Sequence, residues 1–153
     1  MEAAVQRDIT DAGAWFELGV KQQENEREQK AIQALQRAID LDSSHLPTWL
    51  ALAISHTNDG NRLGTYNAIR EWVDRNGKYQ TAVHQYRAQT PESPNASTAE
   101  RFSHLIQCLI TMVRNDTSAE VDADIQIALA VLLNTNEVGF SYHLFIYYGM
   151  LVG

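Results

Sequence analysis

Large and small apolar residues recur along the first half of the chain at a constant distance of 34 residues, the separation of Trp15 and Trp49. Within each repeat these residues fall at helical spacing. A repeat of this length is typical of two antiparallel helices, in which a small residue lets the two backbones approach closely. The pattern therefore predicts stacked helical hairpins. The recurring pairs are Trp15 and Trp49, Leu18 and Leu52, Gly19 and Ala53, Leu35 and Ile69, and Ala38 and Trp72.

These repeats predict an all-α solenoid of stacked antiparallel helix pairs. The second repeat has clear boundary signals, because Pro47 is tolerated in a first helical turn and Gly60 breaks the chain between the two helices. We interpret residues 1–137 as one partial repeat domain. The expected repeats are 12–45, 46–79, an irregular 80–121, and the first helix of another repeat at 122–136. The helices expected in the two regular repeats are 14–25, 29–41, 47–58 and 62–75.

Two sequence patterns typical of capping boxes lie in the irregular region. In a capping box, the first Ser or Thr and a Glu three residues later satisfy each other's backbone N–H groups at a helix start. Ser97 and Glu100 form the first pattern, ahead of apolar residues at helical spacing. Thr117 and Glu120 form the second, which predicts a helix from there to about Asn134.

The pattern of charges stops near the end of the chain. Residues 138–153 contain no Lys, Arg, Asp or Glu, although an amphipathic helix would present a polar outer face. We interpret this stretch as a divergent apolar tail and expect a truncated or altered C-terminus, because a stacked array needs a polar cap at each end. The tail is shorter than the ~20 residues of a membrane-spanning helix, so no direct membrane span is expected.

Charge and cysteine content narrow the function further. Twelve Lys and Arg stand against 19 Asp and Glu, a formal net charge of −7 in 153 residues. An acidic chain is poorly suited to nucleic acid or to an anionic membrane surface. The single cysteine, Cys108, cannot form an internal disulfide, and no basic, apolar leader opens the sequence. A reducing, cytoplasmic location is therefore expected.

The sequence carries no pattern typical of an enzyme. The five histidines lack metal-ligand spacing with one another or with Cys108, and no glycine-rich phosphate loop or serine elbow is present. We therefore expect no catalytic residue, no metal and no cofactor. The three tryptophans are predicted to be core residues, and Cys108 is predicted to be a buried or half-buried thiol on an amphipathic helix.

Three segments of the regular repeats match a known family pattern. They read AWFELG at 14–19, QENE at 23–26 and ALAISHTND at 51–59. These segments resemble the tetratricopeptide-repeat (TPR) domain of the peroxisomal targeting signal type 1 receptors, and the resemblance continues to about residue 137. It implies an import receptor that recognises cargo proteins by a C-terminal tripeptide of the serine-lysine-leucine type. Such a receptor carries cargo to the peroxisomal docking machinery and returns to the cytosol.

The resemblance points to the end of the first helix of the second repeat. In TPR proteins, residues near the end of each first helix line a concave groove, and here these include Ile54, Thr57 and Asn58. An asparagine amide carries a donor and an acceptor, so it can satisfy the backbone of an extended peptide whatever the peptide's sequence. The family pattern implies that Thr57 and Asn58 contact the signal peptide, with Ile54 nearby.

Two further groove residues follow from the same comparison of repeats. Asn134 occupies a groove position in the last recognisable repeat and is a second expected peptide contact. Glu24, in the first repeat, is expected to supply negative potential toward the basic middle residue of the signal, in keeping with the acidic chain. Groove residues from the family's later repeats have no counterpart here, so cargo binding is expected to be impaired.

Other interpretations are compatible with the same residues. Asn58 precedes Asp-Gly and is, without the family pattern, most simply a turn residue. The whole chain is alternatively a generic TPR scaffold for protein–protein interaction, or a co-chaperone adaptor that grips an acidic C-terminus. An adaptor of that kind needs groove Lys and Arg to hold carboxylates. The groove positions here carry Gln, Glu, Thr and Asn, which disfavours the adaptor.

Overall fold

A computed structural model describes residues 2–120 and 122–136 of the chain. Within these residues all the regular structure is helical, in eight α-helices and one short 3-10 helix at Gly77–Tyr79. The fold class predicted from the repeats, an all-α array of adjacent helix pairs, is confirmed. The α-helices are α1 (Glu2–Arg7), α2 (Ala12–Glu24), α3 (Glu28–Leu41), α4 (Leu46–Asn58), α5 (Arg62–Arg75), α6 (Gln80–Gln89), α7 (Thr98–Asn115) and α8 (Ala123–Asn136).

The chain divides into two compact units, Met1–Trp72 and Val73–Gly153. In the first unit, α2 packs against α3 and α3 against α4. Gly19 explains the close approach of α2 and α3, because a Cβ atom placed there would lie 2.6 Å from the Cγ and Cδ2 atoms of Leu35. The small residue of the repeat therefore does what its position predicts. Fully buried side chains of this unit include Ala31, Leu35, Ala53, Ile69 and Trp72.

A specific turn precedes each first helix of the regular repeats. Asp8 Oδ1 accepts hydrogen bonds from the backbone N–H and the hydroxyl of Thr10, at 2.9 and 2.6 Å. Asp42 Oδ1 accepts the same two bonds from Ser44, at 3.0 and 2.6 Å. These are Asx turns, in which a short carboxylate replaces a backbone acceptor. The two turns are 34 residues apart, so the period seen in the apolar residues extends to the connections.

The paired tryptophans fasten these turns to the helices. The indole nitrogen of Trp15 donates to the backbone carbonyl of Ile9 at 2.9 Å, and that of Trp49 donates to Ser43 at 2.9 Å. Both side chains are half-buried, whereas Trp72 is 1% exposed. The prediction that all three tryptophans are core residues is therefore confirmed for Trp72 alone. An indole with one polar atom is suited to a half-buried position, because that atom needs a partner.

The helix boundaries of the regular repeats lie within two residues of those predicted. Pro47 stands in the first turn of α4, where its missing N–H costs no helical hydrogen bond. At the other end of α4 the chain turns through Asp59 and Gly60, and Gly60 has φ = +74°, a conformation that glycine adopts without strain. Asn61 Oδ1 then accepts from the backbone N–H of Gly64 at 2.9 Å, within the first turn of α5.

In the second unit, α6 packs against α7 and α7 against α8. The capping box predicted at the start of α7 is confirmed: Ser97 Oγ accepts from the Glu100 N–H at 3.2 Å, and Glu100 Oε2 accepts from the Ser97 N–H at 2.6 Å. Cys108 is 1% exposed on the buried face of α7, and burial raises the pKa of its thiol. The core of this unit includes Phe102, Leu105, Leu109, Met112, Ile125, Ala128 and Leu132.

The second predicted capping box, Thr117 to Glu120, is wrong. Asp116 Oδ1 accepts from both the N–H and the hydroxyl of Ser118, at 3.0 and 2.7 Å, so the chain forms an Asx turn there instead of a helix. Helix α8 begins at Ala123, and Asp122 Oδ1 accepts from the Asp124 N–H at 2.9 Å. The Asx turn and the capping box are competing uses of neighbouring short polar side chains, and here the turn prevails.

The apolar tail of 138–153 lies outside the described residues, and so does residue 137. Within 2–120 and 122–136, no helix is both long enough and apolar enough to cross a membrane.

Candidate functional site

The end of α4 presents a partly exposed face built from three of the predicted site residues. Ile54, Thr57 and Asn58 are separated by three and four positions, so they share one side of the helix. Ile54 and Thr57 are half-buried and Asn58 is exposed. The arrangement places one apolar, one hydroxyl and one amide side chain next to each other, a combination suited to an extended peptide. We call these three residues the α4 face.

Thr57 ties the α4 face to its own hairpin. Its Oγ1 lies 2.9 Å from the Ala53 carbonyl, to which it donates, and 3.0 Å from Thr65 Oγ1 in α5. Thr65 is fully buried, and its hydroxyl donates to the Asn61 carbonyl at 3.0 Å. The Thr57 hydroxyl is therefore fixed by contacts on both helices of the hairpin, and its position at the surface is well defined.

Asn58 is held by the start of α3. Its Nδ2 donates to Oε1 of Glu28 at 2.9 Å. Asn58 is the last residue of α4, while Asp59 is the C-cap and Gly60 makes the turn. Within the described residues, the Asn58 side chain is hydrogen-bonded to the neighbouring helix α3, which the interpretation as a simple turn residue does not include.

The corresponding face of α2 is used differently. Gln23 is the twelfth residue of α2, as Thr57 is of α4, and its Nε2 donates to the Ala51 carbonyl at 3.0 Å and to Ser55 Oγ at 2.7 Å. Gln23 therefore joins the two first helices of the unit. Glu24 is exposed and pairs with Lys21 of its own helix, at 3.2 Å between Nζ and Oε2. Such an exposed pair contributes little to the stability of the fold.

Asn134 lies in the second unit, in the last turn of α8. It is the twelfth residue of that helix, which is the position that Thr57 has in α4. The residue is half-buried, and its Oδ1 is buried with no hydrogen-bond partner among the described residues. The next residue, Thr135, donates its hydroxyl to the Val131 carbonyl at 2.8 Å, as Thr57 does to Ala53. Asn134 belongs to the second unit, and the α4 face belongs to the first.

The second unit contains a polar cluster that the sequence did not reveal. Tyr79 is 4% exposed, and its hydroxyl lies within hydrogen-bonding distance of Asp116 Oδ2 and Asp122 Oδ2. Burial and the two carboxylates raise the pKa of the Tyr79 hydroxyl, so it remains a proton donor at neutral pH. Lys78 Nζ lies 3.9 Å from Asp116 and 3.7 Å from Asp122. Tyr79 lies 37 and 43 residues before the two aspartates, and no local spacing predicts that these side chains meet.

A small cavity of about 80 Å³ lies beside this cluster, lined by Val113, Asp116, Ser118, Glu120, Asp122 and Ile125. Across the described residues, no group of three or more His, Cys, Asp or Glu side chains is arranged to hold a metal ion. The cluster is best understood as structural, because the buried tyrosine joins the start of α6 to the loop before α8.

The helical pairs, the 34-residue period and the Gly19 contact place the chain in the class of TPR-like helical repeat proteins. No family model matches the chain. It is 36% identical over 137 residues to the peroxisomal targeting signal receptor of Yarrowia lipolytica, a match that covers 89% of this chain and 23% of that protein. It is 34% identical to the human PEX5-related protein, over 88% of this chain and 22% of that protein, and 31% identical to the peroxisomal targeting signal receptor of Komagataella phaffii, over 89% and 23%.

This chain is homologous to a segment of the peroxisomal targeting signal receptors, so the resemblance inferred from its residues is confirmed. The chain spans less than a quarter of the length of the curated relatives to which it is compared. The relatives are named as receptors and related proteins.

Proposed function

We propose that this chain recognises the C-terminal peptide of proteins destined for the peroxisome, a tripeptide signal of the serine-lysine-leucine type, through the exposed faces of its first helices. The observation that carries this proposal is the α4 face, where an exposed asparagine is held at the end of a helix whose sequence matches a targeting-signal receptor. Asn58 is the principal contact, and Thr57 and Ile54 flank it.

The chemistry of these residues fits a peptide backbone. With one N–H of the Asn58 amide bonded to Glu28, the second N–H and the Oδ1 atom are available to a ligand. An extended peptide offers a carbonyl and an N–H at regular intervals, so one amide can pair with both. The half-buried Ile54 adds an apolar contact that does not depend on the ligand's polar groups.

The other two proposed contacts have separate roles. Asn134 is half-buried in the last turn of α8, at the position that Thr57 has in α4, and its side-chain amide is proposed to pair with the backbone of a ligand. Glu24 contributes negative potential that favours a basic residue in the signal. Because the net charge is −7, the whole chain attracts basic peptides and repels acidic ones.

The wider function that we propose is that of the receptors themselves. The chain would act as a non-enzymatic import factor that moves between the cytosol and the peroxisomal docking machinery as part of a full receptor. The isolated chain is expected to bind cargo weakly, since two regular repeats provide few groove residues. We infer no cofactor and no metal in this function.

The direct test is a titration of the full 153-residue chain with a fluorescent peptide ending in serine-lysine-leucine. The peptide is used as the free carboxylate and as the amide, after circular dichroism has established helicity. We expect saturable binding of the carboxylate form, weakened about tenfold by Asn58→Ala, since the substitution removes one or two polar contacts of about 1 kcal/mol each.

The matched control is Asn67→Ala, which removes another exposed asparagine, on α5 and outside the first helices. Equal affinity for Asn58→Ala and the unaltered chain would contradict the assignment of the α4 face. A helical chain that binds neither peptide form would contradict cargo recognition by this chain.

A further inference from the structure

Two consecutive residues at the start of α3 bind two consecutive residues at the end of α4. Glu28 Oε1 accepts from Asn58 Nδ2 at 2.9 Å, and Gln29 Nε2 donates to both carboxylate oxygens of Asp59 at 2.7 Å. Glu28 is half-buried and begins α3, whereas Gln29 and Asp59 are exposed. The last turn of α4 is therefore fixed by a polar contact from the preceding helix and not by packing alone.

The direction of the Glu28 bond has a specific consequence for Asn58. A carboxylate accepts hydrogen bonds and cannot donate them, so Glu28 can pair with the amide nitrogen of Asn58 but not with its oxygen. An asparagine without such a partner can exchange the positions of these two groups by a half turn about its terminal bond. Glu28 removes that freedom, and Oδ1 of Asn58 is left as an acceptor toward the surface.

Glu28 itself is committed to this bond. Its second oxygen, Oε2, is buried and has no hydrogen-bond partner among the described residues. The position of Glu28 at the first turn of α3 places its negative charge near the positive end of the helix dipole. This interaction with the helix dipole favours the carboxylate at the helix start, within reach of Asn58.

We propose that Glu28 is a positioning residue, which sets the orientation of the Asn58 amide so that a peptide backbone meets a preorganised acceptor and donor. This inference rests on the proposed function, because it assigns Asn58 to the peptide. It differs from a simple charge effect, in which Glu28 would attract a basic residue of the ligand. The two roles predict different couplings with Asn58 and a different dependence on the ligand's charge.

A double-mutant cycle separates the two roles. In the full chain, Glu28→Ala is expected to weaken binding of the serine-lysine-leucine peptide about threefold to tenfold. This is the effect expected from losing the one hydrogen bond that orients the Asn58 amide before the peptide binds. Glu28→Gln, which keeps an acceptor of the same length, is expected to lose about twofold. In the Asn58→Ala background, Glu28→Ala is expected to cause no further loss, because there is no amide left to orient.

The same cycle is repeated with a peptide in which glutamine replaces lysine. A positioning residue gives the same loss for both peptides. A loss that disappears with the uncharged peptide, or that persists in the Asn58→Ala background, would overturn the proposal and indicate charge attraction instead.

A second measurement needs no ligand and therefore separates this inference from the proposed function. The side-chain amide protons of Asn58 are observed by nuclear magnetic resonance in the unliganded chain. We expect the proton that is bonded to Glu28 to be displaced from the shift of a free amide in the unaltered chain and to return to that shift in Glu28→Ala. Gln29→Ala, which removes the neighbouring bond to Asp59, is the matched control and is expected to leave the Asn58 signals in place.

Unchanged Asn58 signals in Glu28→Ala would overturn the positioning role whatever the peptide does. If the unaltered chain binds no peptide while the Asn58 amide signal returns to its free shift in Glu28→Ala, the positioning of the amide stands and the proposed cargo recognition by this chain fails.

Discussion

Both units contain an Asx turn ahead of a helix, but different side chains hydrogen-bond to that turn in each unit. In the first unit, the Asx turns at Asp8 and Asp42 are each followed four residues later by a helix start, and a tryptophan bonds back to the turn backbone. In the second unit, the Asx turn at Asp116 is followed seven residues later by α8, and the buried hydroxyl of Tyr79 bonds to Asp116 itself.

One part of the repeat is kept before α8 and another is not. The carboxylate turn needs only a segment of three residues, from the aspartate to the second residue after it, and it is kept where the connection is three residues longer. The indole contact needs a tryptophan as the fourth residue of the following helix, and α8 has Gln126 at that position. In the second unit a residue from the preceding hairpin, Tyr79, takes over the fastening role.

The largest loss of stability is expected at Gly19, where α2 and α3 leave no room for a larger side chain. Gly19→Val places side-chain atoms within the volume of Leu35, whose atoms lie 2.6 Å from the position of an added Cβ. We expect the free energy of unfolding of the first unit to fall by about 2–3 kcal/mol through overpacking. Urea unfolding, with amide hydrogen exchange in α2 and α3, measures it.

The matched substitution is Gly77→Val in the second unit, where no atom lies within 4 Å of an added Cβ. This variant is expected to change the stability little. Equal stabilities of the two variants would show that the close approach of α2 and α3 is not maintained in solution.

An intermediate loss of stability is expected on removing the side-chain hydrogen bonds that hold the turns, one from Tyr79 and one from Trp49. Tyr79→Phe leaves Asp116 and Asp122 without the phenolic donor, and we expect a loss of about 1–2 kcal/mol confined to the second unit. Trp49→Phe removes the indole bond to Ser43, and we expect a loss of about 1 kcal/mol confined to the first unit. Amide hydrogen exchange at the starts of α8 and α4 locates each loss.

Tyr86→Phe is the control for the first of these variants, since Tyr86 is also in the second unit and is half-buried. A loss of protection in α4 on substitution of Tyr79, or in α8 on substitution of Trp49, would contradict the assignment of one device to each unit.

The smallest expected effect concerns how stability depends on pH, which differs between the Asx turns at Asp42 and Asp116. Hydrogen bonds from Ser44 lower the pKa of Asp42. Hydrogen bonds from Ser118, then the hydrogen bond from Tyr79 and the positive charge of Lys78, lower the pKa of Asp116. A carboxyl with a lowered pKa in the folded state stabilises the fold above the unfolded pKa of about 3.9. That contribution is lost as the pH falls through the folded value.

Asp42→Asn and Asp116→Asn are therefore expected to flatten the loss of stability between about pH 4.5 and pH 2.5, each in its own unit. Asp116→Asn is expected to have the larger effect, because more groups stabilise that carboxylate. Urea midpoints measured over this range test the ranking, and a steeper acid response in either variant would contradict the sign.

The sequence predicted the first unit well for a physical reason. Its helices are defined by apolar spacing and by local breakers such as Gly60, and both kinds of signal are readable within one repeat. The start of α8 was mispredicted because Asp116 and Thr117 offer rival local hydrogen bonds, and the sequence alone does not rank them.

The contacts around the candidate site could not be predicted from the sequence, for a different reason. Asn58 and Glu28 are thirty residues apart, as are Asp59 and Gln29. The TPR pattern predicted that the end of α4 faces a groove, but not which residue of another helix orients its amide. The contact of Tyr79 with Asp116 and Asp122 could not be predicted from the sequence either, because it depends on how α6, α7 and α8 pack together.

The burial of Cys108 has a practical consequence for observing these units. The chain has one cysteine, it lies in the second unit, and it is almost completely covered by the packing of α7. A thiol reagent can reach it only when that packing opens, and the raised pKa of the thiol slows any reaction further. The rate of alkylation therefore reports how often the packing of the second unit opens. The first unit has no cysteine and does not contribute to this rate.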